Sequence, residues 1–168
     1  NKIGQRALNQ GEIFFDDVRI PAEYMVIGKE NYGAVVQQIL TGANAFMGTT
    51  FNGCARAAYE LALDYAKTRV QGGVPIIQHQ SVKARIFKMF MQVEAARSLS
   101  RRVVYYNSSN MPLLQYSIAS KVFSTTTAFE VASQALQIFG GNGLTRDFPI
   151  EKIMRDARAS MIEDGCND

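Results

Sequence analysis

Val82, Ile86, Met89, Val93 and Ala96 are separated by steps of four, three, four and three residues. That spacing puts all five on one face of an α-helix; on a strand, where faces alternate every two residues, it would scatter them. Cys54, Ala58, Leu61 and Tyr65 repeat the pattern upstream, from about residue 31 onward. Downstream, Ile118, Val122, Phe129, Ala132, Leu136 and Phe139 lie along one side of a third helix. The stops between these stretches are strong. Gly72, Gly73 and Pro75 end the first helix near Arg69, and Asn107-Ser108-Ser109-Asn110 before Pro112 ends the second. Gly140-Gly141-Asn142-Gly143 ends the third, and a shorter fourth helix fits Pro149 to about Ala159. Long helices with short connections predict a mainly α fold, an antiparallel four-helix bundle.

The first 28 residues follow another rule. Residues 12–15 (Glu-Ile-Phe-Phe) and 18–20 (Val-Arg-Ile) are short β-favouring runs around the turn pair Asp16-Asp17, and Pro21 closes the second run. They read as a short β remnant, the last strands of a preceding β domain, so the chain divides into 1–28 and 29–168. The opening at Asn1 without Met, and the stop at Asp168, read as a piece of a longer chain.

Composition removes several classes of function. Of the 168 residues, 47% are apolar and 20% charged, enough for a packed core and against general disorder. The net charge of +3 is spread along the chain, which argues against a nucleic-acid surface. No apolar run reaches the roughly 18 residues of a membrane span. The two cysteines, Cys54 and Cys166, are far apart and His79 is the single histidine, so no metal site is expected.

Three places offer chemistry, each with two readings. Gln137 to Gly143 bares the backbone at a helix end, either to admit a flat or phosphorylated ligand or simply to cap the helix. Arg69 beside Gly72-Gly73, followed by His79 and Gln80, can hold a phosphate or complement the helix dipole. Glu163 and Asp164 precede Gly165 among apolar neighbours, either as a general base or as an exposed acidic turn.

Taken in this order, the motifs resemble the C-terminal part of the acyl-CoA dehydrogenase family over essentially the whole chain. Phe14-Phe15-Asp16-Asp17-Val18-Arg19-Ile20-Pro21-Ala22 resembles the passage out of the family's middle β domain. Residues 65–69 (Tyr-Ala-Lys-Thr-Arg) with Gly73, Pro75-Ile76 and His79-Gln80 resemble a second signature. Gln137 to Gly143, with Pro149, Glu151, Met154, Arg155, Asp156 and Ala157, resemble a third.

The resemblance implies a C-terminal four-helix bundle domain and the tail of a middle β domain. It implies FAD held between subunits of a homodimer or homotetramer. The implied reaction is α,β-dehydrogenation of an acyl-CoA thioester. A carboxylate removes the α-proton, the β-hydrogen leaves as hydride to flavin N5, and an electron-transferring flavoprotein takes the electrons. The implied compartment is the cytoplasm of a bacterium or archaeon, or the mitochondrial matrix of a eukaryote. By position, Asp164 falls on the catalytic carboxylate, with Glu163 as runner-up one residue earlier. Arg69 falls on the arginine that meets the FAD diphosphate, and Gln80 on the glutamine near its adenosine part. Gln137, Gly140 and Gly141 fall on the segment that contacts the FAD of the neighbouring subunit. Cys166 stands where the family has a threonine near FAD.

Several positions depart from the family pattern. The base position holds Asp rather than Glu, as in members acting on alicyclic acyl-CoA substrates. Ala43 and Asn44 replace a second base location and the arginine after it. Gly72 replaces an aromatic residue that packs on adenine, and Asp168 replaces a glutamine. These departures keep two alternatives in view: a non-catalytic flavin-binding, acyl-CoA-binding or oligomerising member, and an acyl-CoA oxidase. The isolated chain is expected to fold as a bundle and to bind FAD weakly, since part of the pocket lies in other domains.

Overall fold

The computed structural model describes residues 1–168. Four helices carry the fold: α1 (Tyr32–Thr68), α2 (Gln80–Asn107), α3 (Leu114–Phe139) and α4 (Ile150–Ser160). At about 1.5 Å per residue, α1 is roughly 55 Å long. No helix is long and apolar enough to cross a membrane.

Consecutive helices run antiparallel, as the short connections predict. Tyr59 meets Phe90 while Asn52 meets Ser100, so α1 and α2 run in opposite directions. Arg85 reaches Gln134 while Asn107 reaches Ser117, so α2 and α3 do too. The most extensive packing, however, joins α1 to α3, which run parallel: Gly48 abuts Ser120 and Tyr65 stacks on Phe139. The α1–α3 pair forms the centre, with α2 and α4 packed against it.

Small side chains allow this central pair to approach closely. Ala55, Ala58, Ala62 and Ala66 of α1 are fully buried, as are Ser117, Ser120, Ser124, Ala128 and Ala132 of α3. The buried faces are therefore rotated by about one position from the apolar stripes of the sequence. Cys54, Leu61, Tyr65, Val122, Phe129 and Leu136 are only half-buried, and Ile118 is exposed. Pattern reading follows bulk apolar residues, whereas the seam here selects small ones. In α2 the pattern and the structure agree: Ile86, Met89, Val93 and Ala96 are buried. Each larger buried apolar side chain contributes about 1.5–3 kcal/mol of transfer free energy.

The core is divided along its length. Its apolar part gathers Phe51, Ile76, Ile86, Met89, Val131, Ile138, Phe139 and Ile150 around the alanines. Toward the N-terminal ends of α1 and α3 the buried residues turn polar: Thr41, Asn44, Ser117, Ser120, Lys121, Ser124 and Thr125.

The two β-favouring runs at residues 12–15 and 18–20 form no strand within this chain. Asp16-Asp17 does bend the chain, with Asp17 at φ 47°. Two short runs need a partner strand to satisfy their backbone groups, and nothing in this chain pairs with them. The one sheet is instead a hairpin, β1 (Val70–Gln71) with β2 (Val74–Pro75). Gly72 and Gly73 form its turn at φ 66° and 83°, the left-handed pair that a tight hairpin turn requires.

The segment before residue 8 is tied to α4. Arg155 donates to the Ile3 carbonyl at 2.6 Å, and the Gln5 amide donates to Asp156 at 2.5 Å. Gly4 is buried against the Arg155 carbonyl so closely that a side chain there would collide with it. Arg155 is itself held by Glu151 at 2.7 and 3.0 Å, a bond that keeps the Glu151 carboxyl below its ordinary range.

Candidate active site

The candidate site residues separate into two groups at opposite ends of the central helix pair. The first group surrounds an open cavity of about 490 Å3 between the N-terminal halves of α1 and α3. Its walls are Val36, Leu40, Leu114, Ile118 and Val122, with Gln37, Asn44 and Lys121 as polar members. Asp164, Gly165 and Cys166 complete the rim.

The turn after α4 delivers them there. Asp164 sits at φ 49° and Gly165 at φ 100°, two successive left-handed residues that reverse the chain. Gly tolerates that region freely, and Asp is among the few other residues that enter it readily. The Asp164 N–H makes no hydrogen bond within the chain. Glu163 turns the other way: its carboxylate accepts from the Gln5 side-chain amide at 2.8 Å and does not line the cavity. The structure thus separates two adjacent carboxylates that spacing left equivalent.

Two residues of this loop's support carried no signal in the motifs. Lys121 is 1% exposed, and its ammonium donates to the Gly165 carbonyl and, at 2.8 Å, to Asn167 Oδ1. Asn167 donates in turn to Thr125 Oγ1 at 2.9 Å and Thr126 Oγ1 at 3.1 Å. A usable clue did exist: Lys121 is the single charged residue between Leu114 and Phe129. Asn44 is also buried, donating to the Leu40 carbonyl at 2.8 Å inside α1.

The second group lies at the other end. From Lys121 to Gln137 is sixteen positions of α3, about 24 Å. Here Gln137 lines a cavity of about 320 Å3 with Gln71, Ile76, His79, Ser81, Val82, Arg85 and Ile138. Arg69 caps the end of α1; its N–H donates to the Tyr65 carbonyl and its carbonyl accepts from Ile76, each at 2.8 Å. Gln80 opens α2 beside His79, whose Nε2 lies 3.0 Å from the Gln71 carbonyl and so carries the proton toward it.

The glycine loop caps α3 and leaves part of its backbone open. Gly140 caps α3 at φ 58°, and a Cβ on Gly140 or Gly141 would meet nothing within 4 Å, so their backbone is open to a ligand. Gly143 packs inward, where a Cβ would lie 2.7 Å from the Leu136 carbonyl. Tyr65 fastens the loop: it stacks on Phe139 at 4.2 Å, accepts from Asn142 at 3.0 Å and donates to the Phe139 carbonyl at 3.4 Å.

Residues 33–168 match the family model described as acyl-CoA dehydrogenase, C-terminal domain. The chain belongs to the acyl-CoA dehydrogenase family. Among curated relatives, it is 33% identical over 169 residues to a short-chain-specific acyl-CoA dehydrogenase of Megasphaera elsdenii, covering 100% of this chain and 44% of that protein. It is 29% identical over 167 residues to a cyclohexane-1-carbonyl-CoA dehydrogenase of Geobacter metallireducens, covering 99% of this chain and 44% of that one. Among solved structures, the butyryl-CoA dehydrogenase of Megasphaera elsdenii superposes with a TM-score of 0.88 at 33% identity, covering 91% of this chain and 40% of that chain. The chain spans less than half the length of the curated relatives it matches. Its four-helix fold is the family's C-terminal domain fold.

Proposed function

We propose that this chain supplies the catalytic carboxylate and part of the flavin-binding surface of an FAD-dependent acyl-CoA dehydrogenase. The observation that carries the reading is Asp164, which rims an apolar-walled cavity with an unspent backbone N–H while Glu163 is engaged by Gln5. An acyl chain suits walls of Val, Leu and Ile, and the carboxylate at the rim suits the acidic carbon beside the thioester.

In this reading Asp164 takes the α-proton: the C–H bond breaks and the carboxylate becomes a carboxylic acid. The Asp164 N–H donates to the thioester carbonyl and stabilises the negative charge that develops on its oxygen. Bound FAD supplies a hydride acceptor for the β-hydrogen. The Asp side chain points to an alicyclic acyl group, the class in the name of one relative, while the relatives of higher identity are named for short-chain and butyryl thioesters and make a short linear acyl group the competing substrate.

The residues at the far end fit the cofactor. Arg69, Gln80 and Gln137 make no side-chain hydrogen bonds within the chain, and the bare backbone of Gly140-Gly141 admits close approach. Arg69 suits the diphosphate by charge-assisted bonds, and Gln80 and Gln137 suit polar atoms of the same group. Gln137 lies about 24 Å along α3 from Lys121, and Arg69 at the end of α1 and Gln80 at the start of α2 lie at that same far end, away from the copy's own Asp164. That distance supports a flavin shared between copies, and hence a homodimer or homotetramer. An electron-transferring flavoprotein fits as the acceptor of the electrons.

An exposed aromatic patch on α2 offers a face for that assembly. Phe87 and Phe90 stack at 6.3 Å and stand 60% and 42% exposed, with Met91 beside them. Phe87→Asp in the full-length protein is expected to lower the oligomer mass in size-exclusion chromatography with light scattering. An unchanged mass would remove this face from the assembly.

Ligand protection tests the site without requiring turnover. Cys166 is exposed at the cavity rim, while burial pushes the Cys54 thiol up and lowers its thiolate fraction. Iodoacetamide should therefore modify Cys166 first, as read by peptide mass spectrometry. A saturating acyl-CoA should slow Cys166 several-fold and leave Cys54 unaffected; equal rates with and without ligand would place the acyl group elsewhere. A panel of linear and alicyclic acyl-CoAs, followed by flavin bleaching, then tests the reaction and its substrate class. Oxygen consumption without an added acceptor would identify an oxidase instead.

A further inference from the structure

A buried ammonium is costly unless its surroundings satisfy it. Lys121 has no carboxylate within ion-pair distance, and its partners are a backbone carbonyl and an amide oxygen, both from the loop that carries Asp164. A helix seam built from Ser and Ala has no packing need for a lysine at this place. The loop, by contrast, has no regular structure of its own. Asp164 and Gly165 are held left-handed, and from Gly165 onward the contacts to α3 run through Lys121 and Asn167. The Asn167 backbone N–H donates to the Met161 carbonyl at 3.0 Å, closing the turn on itself.

We propose that Lys121 is a positioning residue for the Asp164 carboxylate: with Asn167 it clamps the 164–167 loop onto α3, and it keeps a cation on the cavity that Asp164 rims. The proposal rests on the reading of Asp164 as the base. An aspartate reaches one methylene less far than a glutamate, so the backbone that carries it has less slack. A shift of about 1 Å at the reacting atoms can cost on the order of 10²-fold in rate. The titratable groups whose charge acts on Lys121 are Asp164 and Cys166 on the cavity and, more remotely, Glu163, all from this loop. Around the cavity α1 brings only the neutral Gln37 and Asn44, and α3 only apolar residues besides Lys121. Burial draws the ammonium below its ordinary range, and the loop's acidic groups oppose that.

The test uses the full-length flavin-loaded protein and three variants: Lys121→Met, Asn167→Ala and Asp164→Asn. Flavin bleaching by an acyl-CoA gives kcat, KM and their pH profiles, with flavin content and melting temperature as folding controls. Lys121→Met is expected to lower kcat by about 10²-fold with KM changed less than about threefold. Its acid limb should move to higher pH, because loss of a nearby cation disfavours the ionised carboxylate. Asn167→Ala should lower kcat by about tenfold and leave that limb in place, since the cation remains. A Lys121→Met protein with wild-type kcat, or with lowered kcat and an unmoved acid limb, overturns the proposal. If Lys121→Met does not hold flavin, Asn167→Ala decides: a kcat loss at unchanged KM supports the clamp, and wild-type kcat overturns it. Asp164→Asn separates the two levels. Wild-type bleaching in that variant sinks the base assignment itself, whereas an inert Asp164→Asn beside an unaffected Lys121→Met sinks only the clamp.

Discussion

Asp164→Asn in the full-length protein is expected to lower the rate of flavin reduction by acyl-CoA by about 10² to 10⁴-fold, the usual worth of a positioned general base. The substitution is clean. Asn enters the left-handed region as readily as Asp, so the φ of 49° is accommodated, and the backbone N–H is retained. Acyl-CoA binding should persist, because the apolar walls and the N–H donor remain. Only the proton acceptor is lost. Glu163→Gln should stay within a few-fold of wild type, since that carboxylate is occupied by Gln5 on the other side of the chain. Rapid-mixing absorbance of the flavin reads both variants. A normal rate in Asp164→Asn with a collapsed rate in Glu163→Gln would move the base back by one residue.

Gly48→Ala is expected to destabilise the bundle by about 1–3 kcal/mol, while Gly53→Ala, five residues on in the same helix, stabilises it by about 0.5–1 kcal/mol. Both replacements gain the same helix propensity. At Gly53 an added Cβ meets nothing within 4 Å. At Gly48 it meets Ser120, including that residue's backbone C and O at 2.9 Å, so α1 and α3 must move apart. Separation along a seam of alanines and serines loses contact over several turns, because each small residue depends on the close approach of its neighbours. Urea unfolding followed by circular dichroism measures both. Equal effects of the two variants would contradict a tight α1–α3 seam.

The helices were legible because their apolar periodicity and their Gly and Pro stops are local properties. Gly72-Gly73, Pro112 and Gly140 end helices whatever surrounds them. The buried faces of α1 and α3 were less legible, since a seam chosen for small size includes Gly48, Ser117, Ser120 and Ser124, which no hydrophobic pattern marks. The runs at 12–15 and 18–20 have strand composition, but a strand exists only with a partner, and pairing is not written in the run itself. The candidate site divides in the same way. The glycine loop, the Arg69–Gln80 stretch and the carboxylate pair announce themselves by residue type and order. Lys121 and Asn167 do not, because their roles come from a contact between positions 121 and 165–167.

The sequence by itself determined that this chain is a helical bundle of the acyl-CoA dehydrogenase family, because helix periodicity, chain breakers and motif order are carried by residues near one another. Only the tertiary structure decided which adjacent carboxylate rims the cavity and which lysine grips its loop. It alone separated the two groups of candidate residues along α3. Those outcomes depend on where a left-handed turn points and on how closely two parallel helices approach, and both are set by packing between segments far apart in the chain.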